Sequence, residues 1–220
     1  MNYLNVLVNN SIPVLKYTDY NEFIYKTLAF KVFSCNRYDN KELHIKSVFE
    51  NEKEYYVPYE EEKVMRFKDA RNDTFYFPEE IVKVNDEVIG YITGMAPGRN
   101  IDHVNPLSVN LDEITKASTV SLDDVKKMSK FNIQTYDVLY NIMYGPGKVS
   151  IIDTDDYSIA NNPVEVTVEK NVSIFNQAML LFLIDGYFDE FVRSNKLLKE
   201  MYCSEDINLH DFLVSFKKYL

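Results

Sequence analysis

The first part of the chain alternates short apolar runs with polar turns, a pattern typical of β-strands. Residues 28–34 (LAFKVFS) and 42–49 (ELHIKSVF) form one pair of runs, and 79–84 (EEIVKV) and 87–93 (EVIGYIT) form another. Polar turn residues separate the members of each pair, so each pair is predicted to form a β-hairpin. Between the pairs, residues 58–70 begin with proline and carry glutamates in the first turn, which predicts a helix.

The second part of the chain has mainly helical periodicity. Residues 110–118 and 121–131 are predicted as two short helices, the second of them with Ser121 as its N-cap. The strongly apolar stretch 171–192 is predicted as a helix or a helix pair, and 207–220 as a closing amphipathic helix.

Proline and glycine in the stretch MAPGRNI, around residue 97, mark the change of pattern. They divide the chain into a strand-rich part, residues 1–95, and a helical part, residues 96–220. The predicted fold class is therefore α+β.

Composition and net charge limit the kinds of partner and the cellular compartment that are expected for this protein. The 220 residues carry a formal net charge of -10, with a pI near 4.8, which argues against nucleic acid or an anionic membrane as the main partner. Cys35 and Cys203 are the two cysteines, too few for a disulfide framework. With no signal-peptide pattern at the start, a cytoplasmic protein is expected; the oligomeric state is left open.

A second kind of hairpin, residues 141–157, carries the candidate chemistry. The turn residues Gly-Pro-Gly-Lys separate two apolar runs, and the second run ends at Asp153. Antiparallel pairing would bring Asn141 and Asp153 to the same end of the hairpin. Amide and carboxylate oxygens are ligands that Mg²⁺ accepts, so the pair is a candidate metal site.

The order of these parts resembles the protein-kinase-like superfamily, over roughly residues 24 to 157. In IYKTLAFKVF, Val32 stands at the valine position of the nucleotide-covering loop, and the three glycine positions are occupied by Tyr25, Thr27 and Phe30. In ELHIKSVF, the resemblance identifies Lys46 as the phosphate-binding lysine; the rival assignment is Lys31.

The helix and the following strand also have counterparts in that family. The resemblance assigns to Glu61, or to its neighbour Glu62, the glutamate that pairs with the lysine. Thr93 would be the gatekeeper, and the backbone around Met95, in the hinge between the two lobes, would bind adenine.

The stretch YDVLYNIMY and the strand VSIID resemble the catalytic loop and the metal-binding strand. Asp137 would be the catalytic base, Asn141 and Asp153 the metal ligands, and Ile152 a contact of the nucleotide. Thr135 and Tyr136 replace the usual His-Arg pair before the aspartate, which implies that no phosphorylated activation loop regulates the protein.

The resemblance implies a two-lobe fold that uses ATP and Mg²⁺ to transfer a phosphoryl group to an unidentified acceptor, either a small molecule or a protein. The missing glycines favour an alternative, a pseudokinase that acts as a nucleotide- or protein-binding regulatory module, because bulky side chains hinder a close approach of the backbone to phosphates. A third hypothesis uses the D-x-D pattern of Asp153 and Asp155, which fits haloacid-dehalogenase-type phosphatases.

Overall fold

The computed structural model describes residues 3–6, 41–45, 47–50, 53–56, 59–84, 87–105, 108–184, 189–204 and 208–219. The chain divides into two compact units: unit 1 is Met1–Arg71 with Phe77–Met95, and unit 2 is Asn72–Tyr76 with Ala96–Leu220. The mixture of helices with small sheets places the protein in the α+β class.

Unit 1 is built mainly from strands, which are β1 (Tyr3–Val6), β2 (Lys41–Ile45), β3 (Ser47–Glu50), β4 (Lys53–Tyr56), β5 (Glu80–Val84) and β6 (Glu87–Gly94). Four of them form one sheet in the order β1, β5, β6, β2. The predicted hairpin of residues 79–93 is confirmed, because β5 pairs antiparallel with β6. The other predicted hairpin stays a prediction, since residues 28–34 lie outside the described residues. Its second run, 42–49, spans β2 and β3, and β3 pairs antiparallel with β4.

Helix α1 (Glu61–Val64) and a 3₁₀ helix (Lys68–Ala70) occupy the region in which the sequence predicts a helix. The α-helical part is shorter than predicted. Its apolar end forms a buried cluster with the sheet, made of Val64, Met65, Ile81, Val88 and Tyr91. Burial of these side chains holds the short helix, which would be marginal by itself.

The first long helix of unit 2 is α2 (Leu111–Ser129), a single element where the sequence predicts two helices. The prediction of Ser121 as an N-cap is wrong, because Ser121 lies in the middle of α2 and is buried. The N-cap is Asn110, whose side-chain oxygen accepts from the backbone N–H groups of Asp112 and Glu113. No glycine or proline interrupts this stretch, so the helix continues through the serines.

Short strands surround α2 in unit 2, namely β7 (Arg99–Asn100), β8 (Ile133–Gln134), β9 (Ile142–Gly145), β10 (Lys148–Ile151) and β11 (Ser158–Ile159). The predicted hairpin of residues 141–157 is confirmed as the antiparallel pair β9–β10. Strand β7 adds to β9, and β11 pairs with β8. Two 3₁₀ helices, Ile101–His103 and Val138–Tyr140, connect these elements.

The remaining helices of unit 2 are α3 (Val164–Ile184), α4 (Asp189–Ser194), α5 (Lys196–Tyr202) and α6 (Leu209–Tyr219). Helix α6 confirms the predicted amphipathic helix, and α3 begins seven residues before the predicted stretch. Large apolar side chains of these helices are buried, among them Phe175, Met179, Leu198 and Phe212. Within the parts of the chain that are described, no helix has the length and apolar character needed to cross a membrane.

Candidate functional site

The β9–β10 hairpin places Asn141 and Asp153 at the same end. The strands pair from Gly145 with Lys148 at the turn to Ile142 with Ile151 at the open end. One step further, the backbone N–H of Ile152 donates to the carbonyl oxygen of Asn141, at 3.0 Å. Asn141 and Ile152 therefore form the last rung of the ladder, and Asp153 follows directly after it.

A second contact fixes the orientation of the Asn141 side chain. Its Nδ2 atom donates to the main-chain carbonyl of Asp137, at 2.9 Å. The backbone N–H of Asn141 donates to Val138 O, at 3.1 Å, which closes the 3₁₀ turn. Since Nδ2 is held by the chain, Oδ1 is the atom that remains to accept a donor or bind a cation.

Left-handed backbone conformations mark both candidate aspartates. Among the described residues, the non-glycine positions with positive φ are Asn132 (59°), Asp137 (48°) and Asp153 (57°). Such conformations are uncommon for residues other than glycine, and they are concentrated at functional sites. Two of the three belong to the residues predicted from the sequence as catalytic base and metal ligand.

Tyr157 connects the two aspartates electrostatically. Its phenol is buried, and this burial raises its pKa well above the ordinary value; the negative charges of Asp153 and then Asp137 raise it further. Both carboxylates therefore act on the protonation of one phenol, although 16 positions separate them in the sequence. The phenol remains protonated, so it adds no third negative charge to this cluster.

The segment after Asp153 is attached to unit 2 by several hydrogen bonds. The Thr154 hydroxyl donates to the carbonyl of Tyr76, at 3.2 Å, and the Tyr157 N–H donates to Thr154 O, at 3.3 Å. Strand β11 then pairs with β8, and the Ser158 hydroxyl donates to the Tyr136 hydroxyl, at 3.1 Å. The segment between Asp153 and the first residue of α3, Val164, is therefore short.

Asn171, a buried residue of α3, holds the segment that leads into Asp137. Its Oδ1 accepts from the backbone N–H and from the hydroxyl of Thr135, at 3.2 and 3.1 Å. Its Nδ2 donates to Ser129 Oγ and to Ile133 O, both at 2.8 Å. Sequence reasoning missed this residue; the available signal was an asparagine at the start of the apolar half of the helix.

The other residues predicted from the sequence belong to unit 1. Lys46 and Val32, as well as Lys31, lie outside the described residues. Glu61 forms an ion pair with Lys83, a residue that the sequence did not single out, with 2.7 Å between Oε2 and Nζ.

The gatekeeper and hinge candidates are also in unit 1. Thr93 is buried, and its hydroxyl lies 3.0 Å from Nε2 of His44. Met95 is exposed. The structure thus brings together Asp137, Asn141, Ile152 and Asp153, and the roles predicted for Glu61, Thr93 and Met95 stay predictions.

The donor set around the hairpin fits Mg²⁺ better than a transition metal. Asn141 offers an amide oxygen and Asp153 a carboxylate, both hard ligands. Within the described ranges, no group of three or more His, Cys, Asp or Glu side chains could hold a metal ion. A cation at Asn141 and Asp153 would need further oxygens, which nucleotide phosphates and water supply in many Mg²⁺ sites.

Searches for relatives give no support from homology: the sequence matches no protein-family model and no curated protein.

Proposed function

We propose that the chain is a phosphotransferase of protein-kinase-like fold that uses ATP and Mg²⁺. The observation that carries the proposal is geometric: Asn141 is hydrogen-bonded to the backbone of Asp137, and at the end of the hairpin ladder it pairs with Ile152, the residue before Asp153. Phosphoryl transfer depends on positioning and on neutralisation of phosphate charge, which is the chemistry that such a set of residues provides.

Each residue has a distinct part in the proposed reaction. When bound, Mg²⁺ would neutralise charge on the nucleotide phosphates. Asn141 Oδ1 and the Asp153 carboxylate would bind the cation. The Asp137 carboxylate would orient the hydroxyl of the acceptor and take its proton, while the γ-phosphoryl group passes to that oxygen and ADP leaves. Asn171 would position the loop that carries Asp137.

A nucleotide-binding experiment tests the metal site. We expect ATP to raise the melting temperature in a Mg²⁺-dependent way, because a ligand that binds only the folded state stabilises it. Asp153→Asn should strongly reduce the Mg²⁺-dependent part, because the amide that replaces the carboxylate carries no negative charge. The control is Asp156→Asn, an exposed aspartate three positions along. An ATP shift that is equal with and without Mg²⁺, or unaffected by Asp153→Asn, would refute the assignment.

Turnover is tested separately. With γ-labelled ATP and a panel of small-molecule hydroxyl compounds and proteins, Asp137→Asn should lower the transfer rate by about 10²- to 10⁴-fold, the usual contribution of a general base. The affinity for ATP should stay the same, since Asp137 is assigned to the acceptor side. A parallel fall in ATP affinity would argue against the role of Asp137.

The pseudokinase is the second candidate, and one observation in unit 1 favours it. Glu61, the predicted partner of the phosphate-binding lysine, forms a part-buried ion pair with Lys83. A carboxylate so engaged is less able to hold Lys46. If Lys46→Met lowers ATP affinity and Lys31→Met does not, the lysine assignment stands; Mg²⁺-dependent binding without transfer would then identify a pseudokinase.

The phosphatase hypothesis fits the structure less well. Strand β10, which precedes Asp153, is the second strand of an antiparallel hairpin, whereas the D-x-D motif of those enzymes follows a strand of a Rossmann-like sheet. Asp155, the second aspartate of the motif, is buried. A phospho-aspartyl adduct on Asp153 would be needed to revive this hypothesis.

A further inference from the structure

A cavity of about 500 Å³ lies between α2, α3 and the N-terminal part of α6, all within unit 2. Its lining includes Thr115 and Ser118 from α2 and Val172 from α3, together with Leu213 from α6. None of the residues of the proposed phosphotransfer site lines it. The volume falls in the range of small-molecule binding sites, about 300–1,000 Å³.

Two hydroxyl groups in the cavity wall have no hydrogen-bond partner in the described parts of the chain. They are Thr115 Oγ1 and Ser118 Oγ, and both oxygens are buried. Ser118 is only 4% exposed. Buried hydroxyls are normally satisfied, so this pair calls for a partner that is not part of the described protein.

The same helix provides an internal comparison. The hydroxyl of Thr119 donates to the carbonyl of Thr115, at 2.8 Å, and that of Ser129 donates to Val125 O, at 2.6 Å. This bond to the carbonyl four residues back is the usual solution for Ser and Thr inside a helix. Thr115 and Ser118 do not adopt it. Because they are three residues apart, their hydroxyls lie on the same helix face and can be reached by one ligand.

The remaining lining residues indicate which chemical class of ligand the cavity fits. Leu122, Val172, Leu209 and Leu213 supply apolar surface. Among the lining residues, the ionisable ones are Glu169 and His210, and both are exposed. A charged group moved into the apolar part would lose its hydration without gaining an opposite charge there, which disfavours ions.

We propose that this cavity is a binding site for a neutral small molecule that has an apolar ring or chain and a carbonyl or hydroxyl oxygen. The apolar part would lie against the leucines and Val172. The oxygen would pair with the hydroxyls of Thr115 and Ser118. This proposal is independent of the phosphotransferase assignment, since it needs neither nucleotide nor metal.

Methyl NMR on the full chain, without nucleotide, tests the site with two neutral probes, acetanilide and cyclohexanone, and with benzoate as a charged probe. We expect saturable shifts of the Leu122, Val172 and Leu213 methyl signals with at least one neutral probe, and weaker binding of benzoate. Shifts that rise linearly with both neutral probes, or benzoate binding as tight as theirs, would overturn the proposal and leave a cavity that holds only water.

Substitutions in the cavity wall test whether the neutral probe binds in this cavity. Ser118→Ala should weaken binding of the neutral probe about tenfold, the loss expected for one hydrogen bond. Ser118→Leu should abolish binding by filling the space, and Ser118→Ala keeps the test decisive if Ser118→Leu fails to fold. The control is Lys116→Ala, an exposed α2 residue that is not in the cavity lining. Equal affinity in the wild type and both Ser118 variants, or an equal loss in Lys116→Ala, would show that the probe binds elsewhere.

Discussion

The side-chain amide of Asn141 donates a hydrogen bond to the main-chain carbonyl of Asp137, at 2.9 Å. This contact ties the end of the β9–β10 hairpin to the turn in which Asp137 has a left-handed backbone. It leaves Asn141 Oδ1 as the atom for a cation, so one side chain both shapes the turn and contributes one ligand to the proposed metal site.

The first prediction concerns that side chain. Asn141→Ala should weaken Mg²⁺-dependent ATP binding by about 10- to 100-fold, the loss typical of a disturbed metal site. Titration calorimetry with ATP in Mg²⁺ and in EDTA measures the effect. Asn161→Ala, at an exposed asparagine, is the control. If both variants bind Mg²⁺-ATP like the wild type, Asn141 is not a ligand.

The second prediction concerns the buried network of Asn171. Asn171→Leu introduces an apolar side chain of similar size and leaves the Thr135 N–H and the Ile133 carbonyl without this partner. We expect a loss of at least about 2 kcal/mol in the free energy of unfolding, because unsatisfied buried groups cost about 1–3 kcal/mol each. Urea unfolding followed by circular dichroism measures it.

The matched control for Asn171 is Lys170→Ala, an exposed substitution one position away on α3. It should change the free energy of unfolding by no more than about 0.5 kcal/mol. Similar unfolding midpoints for the two variants would show that the Asn171 network contributes little to stability.

The third prediction compares two glycines that both have positive φ. A Cβ atom on Gly98 (φ 92°) would lie 2.0 Å from the carbonyl oxygen of Tyr144, whereas one on Gly147 (φ 69°) would meet nothing within 4 Å. Gly147→Ala should therefore cost only the left-handed strain, about 1–2 kcal/mol. Gly98→Ala adds a steric overlap with β9, which typically costs a further 1–3 kcal/mol, so about 3 kcal/mol in total is expected.

Thermal and urea unfolding of the two alanine variants, side by side, measure the difference. The close approach of Gly98 to β9 is not a determinant of stability if Gly98→Ala is as stable as Gly147→Ala.

The fourth prediction concerns pH. Burial, and then the charges of Asp153 and Asp137, raise the pKa of Tyr157 above the ordinary value of 10.0. The unfolded chain therefore loses this proton at a lower pH than the folded protein does. The resulting stabilisation is complete below about pH 10 and is lost as the pH rises further, by up to about 1.4 kcal/mol per pH unit.

Urea unfolding between pH 8 and 11 tests whether the free energy of unfolding falls as the pH rises. Tyr157→Phe should show a shallower loss of stability above pH 10 than the wild type, because it lacks the titrating phenol. Tyr219→Phe, at an exposed tyrosine of α6, should keep the wild-type slope. A wild-type slope in Tyr157→Phe would contradict the assigned pKa shift.

Much of the candidate site was predictable because it depends on local pattern. Turn residues between two apolar runs specify the β9–β10 hairpin, and the pairing rule then brings Asn141 and Asp153 to one end. The same reasoning failed for Ser121, because serine is favoured at N-caps but is also accepted inside a helix when its hydroxyl finds a partner.

The sequence by itself determined the α+β class and the hairpins β5–β6 and β9–β10, because apolar periodicity and turn chemistry act over a few neighbouring residues. Only the tertiary structure revealed the pairing of Glu61 with Lys83, the support of Thr135 by Asn171 and the effect of both aspartates on the pKa of Tyr157. Except for Asp153 and Tyr157, these pairs are 20 to 36 positions apart in the sequence, and no local pattern encodes which buried polar group will meet which partner.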